Sequence, residues 1–96
     1  MNNICLVSYD ISNNKLRRRV EKRLYNYGIR MQYSVFRCNL NTARLNELKT
    51  GLSEILINNT KLRQESDSVI AISGLQDGNF DFLAGTSFHS EDFMIY

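Results

Sequence analysis

Asp10 ends an aliphatic run, in Ser8-Tyr9-Asp10-Ile11-Ser12, and five cationic side chains follow it closely: Arg17, Arg18, Arg19, Lys22 and Arg23. A carboxylate where a strand gives way to a helix is well placed to hold a divalent cation that also touches phosphate. Arginine suits phosphate because its planar fork donates to two oxygens at once. Magnesium usually draws on one or two carboxylates plus water and substrate oxygens, so one aspartate alone makes a thin site. A two-fold dimer that set two copies of Asp10 across one cleft would make a fuller one. The plain alternatives are a turn aspartate and a solvated basic face, yet one acid, Glu21, is all that interrupts the bases. Arg30 and Arg37, on the strand that follows, would extend the basic patch.

Charge along the chain supports a polyanion surface. The net charge of +2 hides nine Lys/Arg against two acids in residues 1–44, and three against eight in residues 45–96. Such asymmetry in one small domain points to a nucleic acid on one side and leaves DNA and RNA open. Phosphate contacts of this kind give sequence-independent affinity that falls steeply with salt. The acidic segment Asp77, Asp81, Glu91 and Asp92 reads as a solvated surface or a protein-docking site.

Other residues carry less. Tyr9, Tyr25, Tyr27, Tyr33 and Phe36 interleave with the bases. Helical and strand parity make most of them core or dimer-interface residues, and Tyr27 and Phe36 read as core. His89 has no partner motif and no Cys-x-x-Cys occurs, which argues against zinc. Cys5 and Cys38 lie in apolar stretches and read as small buried hydrophobes.

The elements that must position these groups can be read from periodicity. Ile4–Tyr9 reads as a buried strand, and the Ser12-Asn13-Asn14 cluster caps the helix that follows. Leu16, Val20, Leu24 and Tyr27 give that helix a core-facing stripe, with Gly28 as its C′ residue. The bases 17–23 then share its non-core side. Met31–Leu40 reads as strand with an irregularity at Val35-Phe36, or as two strands. Asn41-Thr42 caps a second helix whose stripe, Leu45, Leu48, Leu52, Ile55 and Leu56, runs to about Asn58. Asn59–Asp67 is a polar loop, Ser68–Leu75 a strand, Asp77-Gly78 a turn, and Phe80, Phe82 and Leu83 a short strand or packed loop. Phe93–Tyr96 reads as a terminal strand.

This order fits an α+β, ferredoxin-like (split βαβ) antiparallel sheet in one domain, 1–96, with two helices on one face. The other sheet face is left open, and the C-terminal segment 91–96 is expected to pair with a second protomer's sheet. No apolar run is long enough for a transmembrane helix. Met1–Cys5 has neither a charged n-region nor a long apolar stretch, so no secretory signal is expected. The cytoplasm is the expected compartment.

Three ordered motifs carry a resemblance: Ser8-Tyr9-Asp10-Ile11, then Lys15-Leu16-Arg17-Arg18-Arg19-Val20, then Gly28-Ile29-Arg30-Met31-Gln32-Tyr33-Ser34-Val35-Phe36. Together they resemble CRISPR-associated protein two, also called the CRISPR-associated endoribonucleases, closely over the first 40 residues or so and by layout thereafter. The resemblance implies a ferredoxin-like homodimer with crossed C-terminal strands, bound to the CRISPR integrase and bridging it along a protospacer DNA duplex during spacer acquisition. Some members of that family are magnesium-dependent nucleases on RNA or DNA, so the resemblance implies Asp10 as catalytic metal ligand, with one magnesium ion shared between protomers or none. Arg17, Arg18, Arg19, Lys22, Arg23 and Arg30 are then the nucleic-acid contacts, and Tyr9, Ser34 and Phe36 support the site. Asn13 and Asn14 stand where many members carry further acids. Amides bind hard cations more weakly than carboxylates, so the residues favour binding over cutting. A third reading is an RNA-binding ferredoxin-like module with no CRISPR role. It is weakened by the lack of an aromatic RNA-binding motif on a central strand.

Overall fold

A computed structural model of the chain describes residues 3–76. The expectations for Asp77-Gly78, for Phe80–Leu83, for His89 and the acids beyond residue 76, and for a terminal strand over 91–96 lie outside them.

Strand β1 (Asn3–Asp10) alternates as the pleat requires: Cys5, Val7 and Tyr9 are buried, while Leu6 and Ser8 are half-covered and Asp10 is exposed. Helix α1 (Asn14–Tyr25) begins at Asn13, whose Oδ1 accepts from the Leu16 amide at 2.9 Å, and it buries Leu16, Val20 and Leu24. It ends at Asn26, and Gly28 is not its C′ residue as expected from sequence. Gly28 instead opens β2 (Gly28–Gln32), where a Cβ would stand 2.3 Å from the Arg37 carbonyl oxygen. Close approach to β3 (Val35–Leu40), not a helix stop, is what this glycine supplies.

The stretch from Met31 to Leu40 is thus two strands of a hairpin, turned at Tyr33-Ser34, with an irregularity between Arg30 and Gln32. Helix α2 (Thr42–Asn58) starts at Asn41, which accepts from the Arg44 amide at 2.8 Å, and buries Leu48, Gly51 and Leu52. Strand β4 (Ser68–Leu75) joins the sheet, whose described strands run in the order β2-β3-β1-β4 with every neighbour antiparallel. This is the ferredoxin-like arrangement, in which the two βαβ crossovers interleave.

The core lies between the sheet and the helices. Val7, Leu16, Val20, Leu24, Phe36 and Cys38 are fully buried there. Among the described residues nothing covers the opposite sheet face: Leu6 pairs with Ile72, Ser8 with Ile70 and Asp10 with Ser68, and Ile70 and Ile72 stay 55% and 50% exposed. Near its end β4 carries a bulge, with Gly74 at φ 79°, which restores Leu75 to pairing with Ile4. Among the described residues no helix is long and apolar enough to cross a membrane.

Candidate nucleic-acid interface

The cations after Asp10 do not form one patch. Successive helical residues turn by about 100°, so relative to Leu16 the bases 15–23 point in three directions. Arg18 and Lys22, with Lys15, lie opposite the buried stripe and are exposed. Arg19 and Arg23 turn towards α2. Arg19 Nη1 donates to Asn59 Oδ1, and the Arg23 guanidinium rests on Gly51, where a Cβ would sit 2.7 Å from Nη1. Arg17 turns towards the end of β1, where Nη1 donates to the Ile11 carbonyl at 3.0 Å and Nη2 donates to Asn14 Oδ1.

Arg30 has a different setting. Its Nη2 lies 3.1 Å from Glu21 Oε2, and its guanidinium packs 5.7 Å from the Tyr25 ring centre and 5.6 Å from that of Phe36. The same Glu21 oxygen accepts the Tyr9 hydroxyl at 2.6 Å. Tyr9, Glu21 and Arg30 therefore lock β1, α1 and β2 together over Phe36, whose ring meets Tyr25 edge-on at 4.9 Å. Burial, then the hydrogen bond to the Glu21 carboxylate and its charge, raise the Tyr9 pKa well above its ordinary value, so Tyr9 stays a neutral phenol. Ser34 contributes through its backbone, accepting from the Tyr9 amide at 3.0 Å, while the Tyr9 hydroxyl also reaches the Tyr33 carbonyl at 3.3 Å. The hairpin tip is thereby tied to the end of β1.

Sequence reasoning missed Glu21, because an acid among bases on a helix ordinarily reads as a solvated counter-charge. The signal that could have found it is the wheel: Glu21 lies beside Arg17 on the flank facing β2, not among the exposed bases. Arg44 is likewise engaged, stacked 4.4 Å from the Tyr27 ring centre and paired with Glu47 at 3.3 Å.

Asp10 is exposed at the open-face end of β1, and its carboxylate has no polar partner among the described residues. Asn13 and Asn14 are occupied as a cap and as the Arg17 acceptor. Asp67 is occupied as well, accepting from the Ser12 amide at 3.1 Å and the Gln64 amide at 2.8 Å. No group of three or more Asp, Glu, His or Cys that could hold a metal occurs among the described residues. Among the described residues, Asp10 is thus the carboxylate at this strand end left without a partner, a donor set that suits a hard cation only with further oxygen ligands from water and phosphate.

The family model for CRISPR associated protein Cas2 matches residues 3–79. The chain is 40% identical over 50 residues to a Synechocystis sp. protein named CRISPR-associated endoribonuclease Cas2 3, covering 52% of this chain and 54% of that one. It is 36% identical over 56 residues to a Geobacter sulfurreducens protein named CRISPR-associated endoribonuclease Cas2, covering 58% and 59%. The chain therefore spans little more than half the length of the curated relatives it matches. A structure described as the crystal structure of cas2 superposes with a TM-score of 0.67 at 27% identity, over 99% of this chain and 100% of that one. Streptococcus pyogenes Cas2 at pH 6.5 superposes with a TM-score of 0.63 at 29% identity, over 84% and 99%. With the Tyr9-Asp10 strand end, the basic α1 and the interleaved sheet all in place, the chain belongs to the Cas2 family of CRISPR-associated proteins.

Proposed function

We propose that the chain acts in CRISPR adaptation as a homodimer that binds duplex DNA and bridges the CRISPR integrase while new spacers enter the repeat array. The observation that carries this reading is the outer surface of α1: Lys15, Arg18, Arg19 and Lys22 are exposed together, with no acid between them. Glu21, the helix's one acid, is turned inward to Arg30 and Tyr9. Such a surface meets phosphate without reading sequence, which suits a protein that must accept arbitrary spacer DNA. The homodimer is supported by the open sheet face, where Ile70 and Ile72 need a cover that no described element provides.

A second reading, metal-dependent cleavage of RNA or DNA, is favoured by one feature, the unpartnered Asp10 carboxylate. Magnesium held there would neutralise phosphate charge and activate water, and the chain's own contribution would be Asp10 from each protomer. The chemistry of the surrounding residues supports binding over cleavage. Tyr9 is a neutral phenol hydrogen-bonded to a carboxylate, and the neighbouring amides are spent on backbone and Arg17.

Arg18→Gln combined with Lys22→Gln tests the binding surface by titrating a labelled DNA duplex over a salt series. Affinity should fall, and the slope of log K on log salt should flatten by about 0.9 for each phosphate no longer neutralised. Unchanged affinity would remove the α1 surface from the reading. Asp10→Ala separates the two activities: spacer acquisition should survive, and loss of acquisition would make the carboxylate essential rather than accessory.

A further inference from the structure

We propose that the groove between the start of α1 and the α2–β4 loop seats a backbone phosphate of bound duplex DNA, with Lys61 supplying a cation that α1 does not. This deepens the nucleic-acid reading above and rests on it. The groove is lined by Lys15 and Arg19 on one wall and by Asn58, Thr60 and Lys61 on the other, with no acid among the lining residues. Three cations from two separate segments thus converge on one concavity, with the Asn58 amide and the Thr60 hydroxyl as further donors.

The groove is also built. Asn59 Nδ2 donates to the Ile55 carbonyl at 2.7 Å, which fixes the amide at the end of α2. Its Oδ1 in turn accepts from Arg19, so that guanidinium is oriented before any ligand arrives. A cation held in place loses less freedom on binding than one free to rotate. Nor does the groove end there. Arg19 is shared with a second depression along the same helix seam, lined by Lys22, Arg23, Asn26 and Ile55.

The two depressions form a basic track from Lys61 to Lys22. Between Lys15 and Lys22 the helical rise is about 10 Å, roughly three phosphate-to-phosphate steps along one strand. The track follows the helix seam, on the side of the sheet away from Ile70 and Ile72. A duplex lying along it leaves the open sheet face clear for a second protomer.

The test uses the full chain and a labelled DNA duplex of about two helical turns, titrated over a salt series. Lys61→Gln should weaken binding about eightfold at ~0.1 M salt, and flatten the salt slope by about 0.9 per protomer engaged. Lys49→Gln removes the same charge from an exposed α2 position outside the groove and should change neither. Circular dichroism melts confirm that both variants fold. If Lys61→Gln matches Lys49→Gln while Arg18→Gln with Lys22→Gln still weakens binding, the groove is not a phosphate seat and the α1 reading stands. If the unmutated protein shows no salt-dependent duplex binding, both fall together.

Discussion

Among individual side chains, the clearest division is between cations that hold the fold and cations that face water. Arg30 sits with Glu21 as its counter-charge, and its Nε is buried with no hydrogen-bond partner. Removing the carboxylate leaves a half-buried guanidinium and the Tyr9 hydroxyl unsatisfied at once. Glu21→Ala should therefore lower unfolding free energy by roughly 2–4 kcal/mol in urea titration, more than an exposed pair is worth. A loss below about 0.5 kcal/mol would show that the Tyr9–Glu21–Arg30 lock contributes nothing beyond a surface pair. Two glycines give a second contrast. A methyl on Gly28 meets the fixed Arg37 carbonyl at 2.3 Å, so Gly28→Ala should cost roughly 1–3 kcal/mol or shift the hairpin register. On Gly51 it meets the movable end of Arg23. There the gain in helix propensity, up to ~1 kcal/mol, should leave Gly51→Ala neutral or stabilising by thermal melting. Much of this scale is hidden in the sequence. The wheel separates Arg17 and Arg23 from Arg18 and Lys22, but only the fold-back of β2 brings Arg30 to Glu21.

Between elements, the loop joining β1 to α1 is pinned from two sides, by Arg17 on the Ile11 carbonyl and by Asp67 on the Ser12 amide. The Gln64 amide bond to Asp67, with the Ser12 bonds and Arg63 adding to it, holds that carboxyl below its usual pKa despite slight desolvation. A carboxyl depressed in the folded state contributes stability above its unfolded pKa, near 3.9, and loses it as pH falls through the lower folded value. The stability difference between the unmutated chain and Asp67→Asn should thus be full at pH 6 and vanish progressively below about pH 4. A difference independent of pH would mean that the carboxyl pins the loop by shape alone. Element boundaries are largely legible, since Asn13 and Asn41 announce both helices and β4 begins where the polar loop ends. Gly28 is not, because local sequence cannot show that β3 will pass so close to it. Cys5 and Cys38, small hydrophobes by their apolar settings, do face each other across β1 and β3 in the core. Burial, with Cys5 nearby, pushes the Cys38 thiol up to about 12, so it stays protonated and unreactive in the folded chain.

For the whole molecule, the layered fold separates two surfaces, the basic helix side and the apolar sheet side. Ile70 and Ile72 sit at half exposure on β4, an edge strand among the described residues, a combination that association would relieve. In the proposed homodimer, each tenfold dilution should remove about 1.4 kcal/mol from the assembled state. The melting temperature should accordingly fall on dilution, and Ile70→Glu should shift sedimentation to the monomer. A melting temperature independent of concentration, with monomer mass throughout, would count against the dimer. The ferredoxin-like plan follows from the alternation of strand and helix signals. The separation of the surfaces follows less directly, because charge counts along a chain do not say which bases turn inward.

The sealed layer of Val7, Leu16, Val20 and Phe36 has a consequence for how such a chain can diverge. Substitutions on α1 and at Ile70 or Ile72 are kept apart by it, so their energetic effects should simply add. Selection can then retune what the helix side holds while the sheet side keeps its own partner, one lineage of changes proceeding without permission from the other.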